Sequence, residues 1–366
     1  MPVNEPDLSG NEGKYLQQCI DTGWISSEGP FVERLETGIC KLTGRNHAFA
    51  VCNGSAALEL AVQAIGIKPG DEVIMPAFTI ISCALAVVRA GAVPVYVDSD
   101  PQTWNMQVSQ IEKLITEKTT AIMAVHIYGI TVDMDPLLAI ARRYNLKVIE
   151  DAAEVIGQTY KGRPCGSFGD ISTFSFYPNK HITTGEGGMV LTDQPEIAER
   201  CKSMRNLCFG TKDRFKHELM GWNFRMSNLQ AAVGVAQLER LSETIEKKLS
   251  VGRLYLDFLA GLDDFLLPPL KNDFCRNIFW VFGLVSQKHK KSAGWWMNEL
   301  FKKGIGTRPF FHPLDDQPAL QPRKIQQKLP NAKILSTFGF YLPSGVTLRE
   351  NQIKRVSDTL IELCKS

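Results

Sequence analysis

The chain has 366 residues, too many for one ordinary hydrophobic core, so a large domain and a smaller one are expected. Its 41 Lys and Arg against 39 Asp and Glu leave a formal charge of +2, which argues against nucleic acid or an anionic membrane as the main partner and for a small ligand recognised locally. Nine cysteines without a C-x-x-C pair read as buried thiols in a reducing, cytoplasmic compartment, and six histidines without paired spacing suggest no metal site. The polar, acidic start MPVNEPDLSGNEGKY is unlike a signal peptide, and the most apolar window, 74–88, is broken by Pro76 and too short for a membrane span.

In chain order, residues 47–52 read as a strand, and NGSAALELAVQAIG has helical apolar spacing with Gly66 as its stop. EVIMPA is then a strand, TIISCALAVVRAG a helix, VPVYVD and AIMAVHIYG strands, DPLLAIARRYN a helix and LKVIED a strand. Strands joined by crossover helices predict an α/β domain with a mostly parallel sheet, whose ligands bind beyond the carboxyl ends of its strands. MVLTD reads as a further strand, PEIAERCKSMR as a helix, and 227–249 as one long helix able to bridge two domains. Beyond about Arg253 the pattern changes to FWVFGLV as a strand, GWWMNELFKKG as a helix and LRENQIKRVSDTLIELC as a last amphipathic helix. The expected division is a large domain over 1–250 and a small α+β domain over 251–366.

The residues that follow strands carry the chemistry. Asn53-Gly54-Ser55 stands where free backbone N–H groups and the positive end of a helix make an anion site, although a plain N-cap explains the same stretch. Asp151 ends the strand LKVIED, where a carboxylate needs a positive partner, either a ligand or a buried arginine. Ser175 precedes Lys180 by five positions, so that hydroxyl and ammonium can converge on one ligand, and the following TTGEGG supplies glycines for a tight turn. An anion cradle, a carboxylate, a hydroxyl and a lysine at strand ends fit pyridoxal 5′-phosphate: phosphate on the helix and serine, ring nitrogen on Asp151, aldehyde carbon on Lys180. Such a lysine must be neutral to attack a carbonyl, and burial lowers a lysine pKa.

Four segments, EDAAEVIG, GSFGDISTFSFYPNKHITTGEGGMV, GWNFRMSNLQAAVGVAQLERL and GTRPFFHPL, together resemble the DegT/DnrJ/EryC1/StrS family of sugar aminotransferases. The likeness runs over nearly the whole chain and is greatest to members that aminate C4 of a nucleotide-linked 4-keto-6-deoxy sugar. The resemblance implies a fold type I, aspartate aminotransferase-like large domain that binds pyridoxal phosphate, followed by a smaller α+β domain. It makes Lys180 the Schiff-base lysine and proton carrier, Asp151 the partner of the ring nitrogen, and Glu154 a neighbour of the ring or its phenolic oxygen. Gly54, Ser55 and Ser175 match the phosphate cradle. Asn223, in GWNFR, matches an asparagine that reaches the phosphate from a second subunit, which implies a homodimer with shared active sites. Where the family has a ring-stacking aromatic this chain has Ile80, so either Ile80 or a displaced Phe78 is expected to cover the ring.

The same resemblance brings Trp24 of DTGWISSEGP and Arg308 and His312 of GTRPFFHPL to the substrate, with His181 beside the lysine; ordinary packing explains Trp24, and a surface charge Arg308, equally well. The implied activity moves an amino group from L-glutamate to the keto carbon, C4, of a nucleotide-linked keto sugar in the synthesis of a surface polysaccharide or a glycosylated metabolite. Two alternatives stand beside it. One is a sugar 3-dehydratase of the same fold, in which histidine replaces the lysine, and the other is a non-catalytic binder.

Overall fold

The computed structural model describes residues 1–210, 213–288, 291–323 and 328–365. Two helices, α1 (Glu12–Thr22) and α2 (Pro30–Thr43), precede strand β1 (His47–Val51). The expected alternation follows: α3 (Gly54–Ala64), β2 (Glu72–Pro76), α4 (Ile81–Arg89), β3 (Val93–Val97), β4 (Thr119–Val125), α5 (Met134–Arg143) and β5 (Lys147–Asp151). A short hairpin of β6 (Thr159–Tyr160) and β7 (Arg163–Pro164) leads to β8 (Ile171–Ser175), β9 (Gly188–Thr192) and α6 (Pro195–Met204). The strands form one seven-stranded sheet in the order β1-β9-β8-β5-β4-β2-β3. Strand β9 runs against both its neighbours, and the pairs from β8 across to β3 are parallel. Every residue of β9 and nearly all of β4 is buried, as a sheet covered by helices on both faces requires.

The long helix expected over 227–249 is two helices, α7 (Asn228–Glu239) and α8 (Leu241–Phe258), which part at Arg240. Ser227 and Gln230 close a capping box at the start of α7. Arg240 leaves helical geometry at φ −111°, and its guanidinium donates to Asp7 and Glu243. The break lets α7 pack on α1 and α2 while α8 packs on α11 (Glu350–Cys364) of the C-terminal part.

That part is a four-stranded antiparallel sheet of order β10-β11-β13-β12, built from β10 (Phe265–Leu266), β11 (Phe282–Ser286), β12 (Arg308–Pro309) and β13 (Gly339–Leu342). Helices α9 (Ala293–Lys302) and α10 (Pro330–Phe338) join its strands. The strand expected from Phe279 begins three residues late. The Asn277 side chain accepts from the Phe279 N–H at 2.7 Å, and Phe279 takes φ +48°, so this corner must finish before a ladder can start.

The two sheets meet through aromatic rings. Tyr128, just past β4, lies 5.6 Å from Trp280, 4.9 Å from Phe310 and 5.4 Å from Phe311 between ring centroids. This corner is tight: Gly129 has φ +98°, and a Cβ there would lie 2.7 Å from both Asn277 Oδ1 and Phe279 N. Both the left-handed backbone and the contact demand glycine. Gly129→Ala is expected to destabilise the protein by about 2 kcal/mol or more, read as a lower midpoint in thermal unfolding.

Candidate active site

A cleft of about 600 Å³ opens at the carboxyl ends of β1, β4, β5 and β8 and is roofed by residues of the C-terminal part. It brings together Gly54, Ser55, Ile80, Asp151, Glu154, Ser175, Lys180 and Arg308 from the sequence-based set. At one end Asn53 caps α3 by accepting from Ala56 N–H at 2.8 Å, so the plain N-cap is present. It sits at the start of the first helical turn, where the leading N–H groups have no helical partner. Three hydroxyls surround that turn: Ser55 and Ser82 lie 2.7 Å apart, and Ser175 presses on Gly54, where a Cβ would come within 2.8 Å of its Cβ. A helix start, a glycine that lets a ligand approach the backbone and convergent hydroxyls suit a phosphate group.

At the floor, Asp151 is 2% exposed. Its Oδ1 accepts from Ala153 N–H at 3.0 Å and from the Thr173 hydroxyl at 3.4 Å, and Oδ2 accepts from the Cys83 thiol at 3.3 Å. Burial raises its pKa; the hydrogen bonds and Lys180 oppose that shift. A carboxylate so placed gains from a positive ring nitrogen. Glu154 sits beside it, accepting from Tyr128 N–H at 2.8 Å, and burial pushes its pKa up to about 7. Lys180 Nζ lies 3.8 Å from Glu154 Oε1, and burial pulls the lysine pKa down against the attraction of both acids. The base needed for attack on a carbonyl is thereby closer to neutral. These residues fit pyridoxal phosphate at each of its three anchoring points.

Trp280 was not found from the sequence, where it read as one more strand residue. Its ring lies 3.8 Å from Lys180 Nζ, and its indole N–H donates to the Asn179 carbonyl at 2.8 Å. The buried Lys248 on α8 holds the Trp280 backbone, donating to its carbonyl at 2.9 Å and to that of Ser344 at 2.5 Å. Tyr177, Phe311 and Tyr341 are further cleft residues that a local motif does not single out. An indole face favours the ammonium by about 0.5–2 kcal/mol, so Trp280→Leu is expected to lower the Lys180 pKa further. The check is the pH dependence of Lys180 labelling in cofactor-free protein.

Four expected residues lie elsewhere. Trp24 is 48% exposed on the loop after α1, outside the cleft lining. Asn223 is exposed in a bridge with Asn206, near the cleft rim, where the adjacent Phe224 carbonyl accepts from Cys52 N–H. The His312 side chain turns to Ser336, 3.2 Å away. His181 is buried on the far side of the loop from the cleft, with Nε2 3.1 Å from the Ile278 carbonyl. Of the two candidates for covering the ring, Ile80 lines the cleft and Phe78 is fully buried beneath Phe310 and Phe311.

Burial, with Lys248 nearby, holds the His181 pKa down at about 3. Because the folded value lies below the ordinary 6.5, the unfolded chain takes up the proton first, and stability is lost as pH falls from 6.5 towards 3, by up to about 5 kcal/mol. His181→Gln is expected to flatten that part of the stability–pH curve, measured by denaturant unfolding.

One further buried cluster, His126, Glu150 and Cys165, lies under β5. The donors and acceptors of its histidine and glutamate are committed to the protein. His126 Nδ1 accepts from Val132 N–H, so Nε2 carries the proton that faces Glu150 at 3.1 Å. Glu150 also accepts from Gly166 N–H, Phe168 N–H and the Ser172 hydroxyl. The cluster braces the strand that carries Asp151.

The sheet, the cleft and the lysine–carboxylate floor define a fold type I enzyme dependent on pyridoxal phosphate. Residues 6–361 match the DegT/DnrJ/EryC1/StrS aminotransferase family, and the chain belongs to it. The GDP-perosamine synthase of Caulobacter vibrioides is 42% identical over 97% of this chain and 95% of its own length. That of Escherichia coli O157:H7 is 39% identical over 99% and 98%. Among solved structures, S. venezuelae DesV in complex with a ketimine intermediate is 32% identical, covers 97% of this chain and 95% of its own, and superposes with a TM-score of 0.90. The protein is a pyridoxal phosphate-dependent nucleotide-sugar aminotransferase.

Proposed function

We propose that the chain moves an amino group from L-glutamate to C4 of a GDP-linked 4-keto-6-deoxy sugar, as a homodimer in which Asn223 of each chain serves its neighbour's cleft. The observation that carries the chemistry is Lys180, buried between Glu154 and the Trp280 ring on the floor that also holds Asp151. The sugar and nucleotide rest on the GDP-perosamine synthases just described, each about 40% identical over nearly the whole chain. Division into a cofactor-binding domain, 1–250, and a smaller domain, 251–366, belongs to the same reading, with the two sheets as its support.

When bound, pyridoxal phosphate supplies a carbonyl that carries the amino group and a ring that stores the electron pair left when a substrate C–H bond breaks. The protein does the rest. Gly54, Ser55, Ser82 and Ser175 would hold the phosphate, and Asp151 would keep a negative charge against the ring nitrogen. Lys180 would hold the carbonyl carbon of the cofactor and, as a base of lowered pKa, would move the proton at the substrate carbon. Glu154, poised near neutrality, balances charge as that proton comes and goes. Trp280, Phe311 and Tyr341 keep water from the reacting atoms, and Arg308 at the mouth presents a positive charge to an anionic substrate. A 3-dehydratase is disfavoured because Lys180 holds the cleft position and His181 faces Ile278 instead.

Incubation with pyridoxal phosphate, L-glutamate and GDP-4-keto-6-deoxymannose is expected to give a 4-amino sugar nucleotide, identified by mass spectrometry and NMR. Lys180→Ala is expected to lose at least about a thousandfold in rate. Turnover of the dTDP or UDP sugar in preference, or amination at C3, would replace the substrate named here and leave the aminotransferase intact.

A further inference from the structure

Asp151 is unevenly served by its surroundings, and the uneven side points to a residue without an assigned role. Its Oδ1 takes the backbone N–H of Ala153 and the Thr173 hydroxyl, whereas Oδ2 has the thiol of Cys83 at 3.3 Å. That thiol belongs to the first turn of α4 and is fully buried. Its own sulfur lies 3.6 Å from the Thr79 hydroxyl, which is buried and lines the cleft. Direction follows from the chemistry: an ionised carboxylate only accepts, so Cys83 donates to Asp151 and Thr79 donates to Cys83. Burial and the charge of Asp151 both push the thiol pKa well up, which keeps the proton on sulfur.

We propose that Cys83 is a positioning residue for the cofactor: held by Thr79, its thiol steadies Oδ2 of Asp151 as an ionised acceptor for the ring nitrogen. Sulfur is suited to this task because it is a weak donor. A hydroxyl or amide at full hydrogen-bond strength would take up more of the carboxylate charge, and an alkyl group would leave a buried oxygen with no donor and favour the neutral acid. The thiol orients Oδ2 and leaves most of its charge for the ligand. Cys83 acts through Asp151, at a distance from the reacting carbon.

The inference rests on the pyridoxal phosphate reading, and its test separates the two. Dissociation constants are measured on the full-length chain, freed of cofactor, for pyridoxal phosphate and for its deaza analogue, in which carbon replaces the ring nitrogen. Wild type is expected to prefer pyridoxal phosphate; equal affinity would overturn the part given to Asp151, and failure to bind either would overturn the cofactor reading itself. Cys83→Ala is expected to weaken pyridoxal phosphate about fivefold to tenfold, the size of one ordinary net hydrogen bond, as suits a weak donor, and to change the analogue less than twofold. Cys83→Ser, which keeps a donor, is expected to recover most of the loss. Equal weakening of both ligands would show a packing defect, and no change in either would show that the thiol is idle; each outcome overturns the proposal. Should Cys83→Ala fail to fold, Thr79→Val removes the relay with the thiol in place and is held to the same ligand-selective pattern.

Discussion

Asp151, Glu154 and Lys180 share the floor of the cleft, and all three side chains are almost wholly withdrawn from solvent. Each is shifted towards its neutral form by burial; Lys180 pulls both acids back towards the charged form and is pulled back by them, whereas Asp151 pushes Glu154 further towards neutral. Much of the surrounding structure makes that arrangement tolerable. Backbone N–H groups of Ala153 and Tyr128 point at the two acids, and the His126–Glu150 brace fixes the strand between them and the sheet. An unpaired charge at such depth is severely destabilising. The ligand that brings a positive ring nitrogen and takes up the lysine relieves the frustration that the protein has built.

The fold places these groups by a simple rule. Parallel strands fed by crossover helices end on one edge of the sheet, so Asp151 at the end of β5, Ser175 at the end of β8 and the α3 turn after β1 arrive together although they are far apart in sequence. The antiparallel β9 returns the chain past Lys180 and gives the lysine loop its rigid exit. Helix α8 then carries the chain to the second sheet, and Lys248 on that helix ties α8 to Trp280 and Ser344.

This accounts for what could be read in advance. The strand ends, the cradle and the lysine were legible because each lies within a few residues of a strand that its own pattern announces. Trp280 was not, since its importance comes from a corner made by Asn277, Phe279 and Gly129, and the apolar run around it reads as uninterrupted strand. His181 was misplaced for a related reason: Lys180 and His181 lie in a turn between β8 and β9, where sequence adjacency does not fix which way a side chain faces, and His181 turns to the Ile278 carbonyl. The single helix expected across Arg240 failed because periodicity survives the break, and the ion pairs of Arg240 with Asp7 and Glu243 are invisible to it. Trp24 and Asn223 lie on surfaces that one chain leaves exposed, where local sequence offers no geometric test.

The indole that covers Lys180 also sets a clock on synthesis. Lys180 leaves the ribosome 100 residues before Trp280, an interval of roughly 5–20 s at ordinary rates of about 5–20 residues per second. During that time the lysine is open to water, and neither its lowered pKa nor the cleft roof exists. The nascent large sheet can fold around Asp151 and the α3 turn, but a cofactor that met it would find an ordinary surface amine. Capture of the cofactor in its final state therefore waits for Trp280 and for the Lys248 and Asn179 contacts that hold it in place.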